Sequence, residues 1–327
     1  MSTPSENSPE SEVAAFAESP PGRLFQLLFL HHSCGGQLLA APGPAEGKDC
    51  IYRSHPNGGG LRERLEKSGY LVHEASYHSR IGQDTNIFDW LPKFRDNMEQ
   101  VLTCDRQDIK YQDTRRNNIV VFKSCYSGNA FRSEGSSPGN PNGPDLTLWN
   151  AKAAFAALPG EFRKYPEVLF VYVTAPPLAP KTPTQPLWKR IAKALLGWNA
   201  KPVQRARLAR QFNNWLVESD GWLKDGNLNN VAVFDYYDIL TDHGMSDLSA
   251  YPTGGGCDSH PSREGNEKAA AAFVPFLNRA VGRMGLSWQR NVGIETGLDC
   301  IARAASGCRV DSHSPVSLSI DHGPLTK

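Results

Sequence analysis

Residues 24–36 read Leu24-Phe25-Gln26-Leu27-Leu28-Phe29-Leu30 followed by His31-His32-Ser33-Cys34-Gly35-Gly36. The apolar part is too short to span a membrane and reads as a strand buried on both faces. It stops at once in polar residues, and the glycine pair fits a tight strand-to-helix turn where backbone must approach closely. Four further runs of the same kind lie downstream, at 70–73 (Tyr-Leu-Val-His), 118–122 (Asn-Ile-Val-Val-Phe), 168–173 (Val-Leu-Phe-Val-Tyr-Val) and 231–234 (Val-Ala-Val-Phe). Short continuous runs with β-branched residues suit parallel strands with both faces covered.

The intervening segments carry helical periodicity. Leu91, Phe94, Met98, Val101 and Leu102 share one face, as do Leu208, Phe212, Trp215 and Leu216. Phe273, Phe276, Leu277, Ala280 and Val281 mark a last helix, and Leu61 and Leu65 a shorter one closed by Gly69. Strands alternating with helices predict an α/β fold, a three-layer α/β/α sandwich on a five-stranded parallel sheet. In such sheets ligands bind beyond the carboxyl ends of the strands, so the residues just after each apolar run are where chemistry is expected.

Those strand ends are rich in polar groups. His31-His32-Ser33 follows the first run, and Glu74 to Gly82 follows the second. Lys123-Ser124-Cys125-Tyr126-Ser127-Gly128-Asn129 follows the third, Thr174-Ala175-Pro176-Pro177 the fourth, and Asp235-Tyr236-Tyr237-Asp238 the fifth. Gly254-Gly255-Gly256-Cys257-Asp258-Ser259-His260-Pro261 then opens the last helix.

In this order of elements the chain resembles the SGNH (GDSL-like) serine hydrolases over roughly residues 24–283. The resemblance implies a flavodoxin-like strand order, a nucleophilic Ser33 after the first strand, and His260 as general base with Asp258 as its acid. It also implies oxyanion donors after the second and third strands, where Gly82 and Asn129 stand, together with the Ser33 backbone N–H. The chain departs from the family pattern in three places. His31-His32-Ser33 stands for the usual Gly-Asp-Ser, the acid is two residues before His260 with Cys257 at the usual position, and the third-strand Gly-x-Asn-Asp is replaced by Lys123 to Asn129.

The chemistry is coherent. A neutral serine hydroxyl needs an adjacent base, His260 would take the Ser33 proton and return it to the leaving alcohol, and Asp258 would fix the imidazole tautomer. The resemblance thus implies hydrolysis of a carboxylic ester, such as a carbohydrate O-acetyl or short-chain ester, with no cofactor. The rival readings are an acyltransferase on the same Ser33 and a non-catalytic binding domain that keeps the fold, the latter favoured by the shifted Asp258 and the altered third-strand segment.

Plainer roles stand beside these. Ser33 is a favoured helix cap, Pro261 suits the first turn of a helix, and Asp258 suits a turn. Cys34 and Cys125 read as small buried residues. Lys123 at the end of a buried strand either lines the cleft or is a paired structural charge. His31, His32, His73 and His78 have no metal-ligand spacing, and no metal is expected.

Composition narrows the partners. A net charge of +1 gives no case for nucleic-acid binding. The seven cysteines are scattered without a CxxC pair, which fits reduced thiols. Residues 1–22 are rich in Ser, Pro and Glu and lack a basic start and long apolar stretch, so we expect a disordered tail without a signal peptide, no transmembrane segment, and a soluble, cytoplasmic chain. The domain is expected over 23–285, with a weakly structured tail over 286–327. Residues 168–217 hold no Asp or Glu but eight Lys or Arg, Lys181 to Arg210. An insertion at about 176–200 is read either as a basic lid for an acidic or lipid-surface substrate or as a solvated helix face.

Overall fold

The computed structural model describes residues 16–181, 202–225 and 228–286. Strand β1 (Phe25–Leu30) runs directly into helix α1 (Ser33–Leu39). A small sheet of β2 (Ala41–Pro42), β3 (Glu46–Lys48) and β4 (Ile51–His55) follows, then α2 (Leu61–Lys67) and β5 (Tyr70–Ala75). Helix α3 (Trp90–Thr103) leads into the hairpin β6 (Cys104–Arg106) and β7 (Ile109–Lys110) and then β8 (Ile119–Lys123). Helix α4 (Leu148–Phe162), β9 (Leu169–Val173), α5 (Pro202–Val217), β10 (Val231–Phe234) and the short α6 (Tyr236–Leu240) come next. The pair β11 (Pro252–Thr253) and β12 (Asp258–Pro261) precedes the long α7 (Arg263–Arg283).

The main sheet is parallel throughout, in the order β10-β9-β8-β1-β5. Its alternating side chains feed two separate cores. Leu28, Leu30, Val120, Phe122, Phe170 and Tyr172 pack under α3, α4 and α5. On the other face Phe25, Leu27, Phe29, Ile119, Val121 and Val171 pack under α1, α2 and α7. A strand buried on both faces has no polar face to alternate with, which is why each run reads as continuously apolar.

Three parts of this architecture have weaker sequence signals. Helix α4 is rich in alanine and carries Pro159, yet Leu148, Ala151, Phe155, Leu158 and Phe162 line its buried side at helical spacing. Thr147 caps it, accepting from the Asn150 N–H at 3.3 Å. The β2–β4 sheet and the β6–β7 hairpin are short and largely exposed, so no apolar pattern announces them.

Of the stretch 1–22 read as a disordered tail, residues 16–22 are described. Phe16 lies against Gly282, and the Glu18 carbonyl accepts from Asn278 Nδ2 at 2.6 Å, so this end of the stretch is seated on α7. Most of the expected C-terminal tail over 286–327, and the core of the basic insertion, lie outside the described residues. Arg210, from the basic run, is no open surface charge: it bonds Asp238, Asp247, Thr241 Oγ1 and the Ser246 carbonyl and lies over the Tyr237 ring. Among the described residues no helix is long and apolar enough to cross a membrane.

Candidate active site

The carboxyl ends of β1 and β8 lie side by side, since Leu30 pairs with Phe122. The turn through β12 closes over them from the start of α7. Ser33 begins α1 immediately after β1, with His32 at the cap position in extended conformation. This abrupt turn needs glycine behind it. A Cβ on Gly36 would come within 1.9 Å of the Cys50 carbonyl oxygen, and one on Gly35 within 2.3 Å of His31 Cβ.

His260 Nε2 lies 2.9 Å from Ser33 Oγ, and His260 Nδ1 lies 2.7 Å from Asp258 Oδ1. Asp258 Oδ1 also accepts from the backbone N–H of His260 at 3.1 Å. The spacing of two residues therefore works through a turn in which the carboxylate doubles back on its neighbour's own amide. With Nδ1–H donated to the carboxylate, Nε2 presents its lone pair to the Ser33 hydroxyl. Burial pushes the Asp258 carboxyl up, but the His260 backbone N–H and imidazole outweigh it and hold it below the ordinary carboxylate range.

The chain is similar in structure to a carbohydrate esterase family 2 enzyme with a carbohydrate-binding domain from Corynascus thermopiles (Myceliophthora fergusii). The identity is 15%, the TM-score 0.37, and the match covers 80% of this chain and 67% of that one. A second solved structure matches at 14% identity and TM-score 0.36, over 78% of this chain and 96% of that one. No family model and no curated protein matches the sequence. At such distances the chemistry has to be read from the residues themselves.

The three residues expected beside the nucleophile are placed differently from Ser33, His260 and Asp258. The Gly82 N–H is spent on Ser79 Oγ at 3.1 Å, and the Gly82 carbonyl oxygen lies 3.2 Å from His32 Nε2. Gly82 is small because a Cβ there would meet the Ser76 backbone nitrogen at 2.2 Å, not because its amide faces the cleft. Asn129 is fully buried, donating its amide to the Ala175 and Pro176 carbonyls at 2.8 and 3.0 Å and accepting from Asn213 at 2.9 Å. It ties the loop after β8 to the end of β9 and to α5. Lys123 is 1% exposed at the end of β8, donating to the Ser124 carbonyl at 3.0 Å with the Tyr236 ring 5.6 Å away. Of the expected oxyanion donors, the Ser33 N–H is the one without a protein acceptor among the described residues.

The histidines have separate partners. His31 is buried between the Glu74 carboxylate and the His32 carbonyl, each at 2.9 Å, and Glu74 is in turn bonded by Arg62. His32 stacks on Tyr77 with ring centroids 3.8 Å apart. His73 bonds Gln26 and Asp105, and His78 approaches Asp49 at 3.5 Å.

Three residues around Ser33 have no functional role assigned by the sequence reading. Tyr126 stands edge-on to His260 with ring centroids 5.1 Å apart, and Tyr77, 38% exposed, lies over His32. Cys125 Sγ lies 3.6 Å from Ser33 Oγ, so the thiol is a second polar neighbour of the hydroxyl besides His260. The adjacency of β1 and β8 brings Cys125 there; its local sequence holds no sign of it.

Proposed function

We propose that this chain is a serine ester hydrolase in which Ser33 attacks the acyl carbonyl and forms an acyl-enzyme. The observation that carries the reading is the unbroken line from Asp258 through His260 to Ser33, with both contacts inside hydrogen-bonding range at the carboxyl end of a parallel sheet. His260 takes the Ser33 proton as the Oγ–C bond forms. It then hands that proton to the leaving alcohol, and the cycle repeats with water to release the acid.

Asp258 holds the imidazole in the tautomer that can accept from Ser33 and offsets the positive charge that develops on it. The Ser33 N–H would donate to the oxyanion; a donor of this kind typically contributes roughly 3–4 kcal/mol to the transition state. The reaction as drawn uses no cofactor.

The rings of Tyr77, 38% exposed, and the half-buried Tyr126 favour an ester whose alcohol or acyl part presents a flat, partly apolar face, such as an acylated sugar ring. The direct test is hydrolysis of p-nitrophenyl acetate, butyrate and octanoate by the wild type, Ser33→Ala and His260→Ala. Loss in both variants supports the reading, and the chain-length profile sizes the acyl site. Equal, weak rates in all three would remove it in favour of a binding domain.

A further inference from the structure

The hydrolytic line leaves two thiols unused. Cys34, fully buried in the first turn of α1, and Cys125, partly buried after β8, place their sulfurs 3.3 Å apart directly beside Ser33. Both are free thiols. The charge of buried Lys123 acts on both sulfurs, and its own contacts are the Ser124 carbonyl and the Tyr236 ring, with no carboxylate bridge among the described residues. A buried cation of this kind needs a nearby anion.

The Cys125 sulfur is the group able to supply one. Its contact with the Cys34 thiol lowers its pKa well below the usual thiol value against the opposing effect of burial, with the Lys123 charge and the Cys34 backbone N–H acting in the same sense as the thiol. Burial pushes Cys34 the other way, so of the two sulfurs Cys125 is the one that ionises more readily. A readily ionised sulfur with a second thiol in contact at 3.3 Å is the arrangement of an oxidisable cysteine and its resolving partner.

We propose that Cys34 and Cys125 form a redox-modification site, in which a hydroperoxide oxidises Cys125 and Cys34 closes a reversible disulfide beside Ser33. The Cys125 thiolate attacks one peroxide oxygen, the O–O bond breaks, and the released alkoxide or hydroxide takes a proton. The sulfur, oxidised by two electrons, becomes a sulfenic acid. Cys34 then attacks that sulfur, the S–S bond forms, and the sulfenic oxygen leaves as water with the Cys34 proton. Each peroxide is reduced to an alcohol or water and each chain loses two thiols. Closing the sulfurs from 3.3 Å to the roughly 2.05 Å of a disulfide draws the end of β8 toward the first turn of α1.

The test is peptide mapping of the full-length protein after brief hydrogen peroxide treatment and blocking of remaining thiols. The account expects a Cys34–Cys125 cross-linked peptide, two hydrogens lighter than the sum of its parts, that dithiothreitol dissolves. In Cys34→Ser the cross-link disappears and dimedone labels Cys125; in Cys125→Ser neither product forms at Cys34. Lys123→Met slows oxidation of Cys125 by about tenfold or more. Cys125 left unmodified while a free thiol added to the same tube is consumed overturns the proposal. So does preferential pairing of Cys125 with Cys50 or another cysteine. None of these readouts uses an ester, so failure here is distinct from failure of the hydrolase reading.

Discussion

The turn that carries Asp258 and His260 and the loop that carries Lys123 and Asn129 both converge on Ser33, and both were natural places to look for chemistry. They spend their polar atoms in opposite ways. His260 and Asp258 remain partly exposed, their side chains 23% and 47% accessible, and their bonds run outward in a line that ends at the Ser33 hydroxyl. Asn129 and Lys123 are buried at 0% and 1%, and their donors end on carbonyls of their own surroundings. Standing at a strand end is therefore not enough: a polar residue is available for reaction only when its hydrogen bonds are not already consumed in holding the loop.

The comparison breaks most easily at its reactive side. Ser33→Ala and His260→Ala should each lower kcat/KM on an activated ester by roughly 10³-fold or more, with the fold retained by circular dichroism. Asp258→Asn should cost less, about 10²-fold, because its carboxylate is half exposed and water can stand in for part of its role. An effect of Asp258→Asn below about threefold would detach the acid from the line.

On the buried side the effects should appear as stability. Asn129→Ala leaves the Ala175 and Pro176 carbonyls and the Asn213 amide without their partner, and should lower unfolding free energy by about 2–4 kcal/mol in urea titration. The folded fraction should keep turnover within a few-fold of wild type. A drop near 10²-fold with unchanged stability would return Asn129 to the oxyanion.

The smallest effect concerns pH. Burial, with the neighbouring His31, lowers the His32 pKa from 6.5 to about 4. Between those values the unfolded chain binds a proton that the folded chain refuses, so stability rises with pH across this window and falls as pH drops through it. Urea midpoints should decline from pH 7 to pH 5, and His32→Gln should flatten the decline by up to one proton's worth of slope.

Much of the fold was legible because a strand covered on both faces must be apolar at nearly every position, as Phe25–Leu30 and Leu169–Val173 are. The approach of His260 to Ser33 was legible through the resemblance of the segments around Ser33 and His260-Pro261 to the serine hydrolase pattern, which implies that the two meet at the carboxyl end of the sheet. The surroundings of Gly82 and Asn129 were not, since their roles depend on which partners their amides meet, and those partners, Ser79, Ala175, Pro176 and Asn213, are set by how the loops fold. Cys125 reads in sequence as a small buried residue. Its contact with Ser33 and Cys34 follows from the pairing of β1 with β8, which only the strand order reveals. Helix α4 was hidden by its alanines, and the β2–β4 sheet by its exposure.

An activated Ser33 should be captured covalently by a fluorophosphonate probe. Intact-protein mass spectrometry and peptide mapping should find one adduct, on Ser33, in the wild type, and should find it lost in Ser33→Ala and strongly slowed in His260→Ala. No adduct on the wild type, or labelling of Ser33 at the same rate in His260→Ala, would contradict the account.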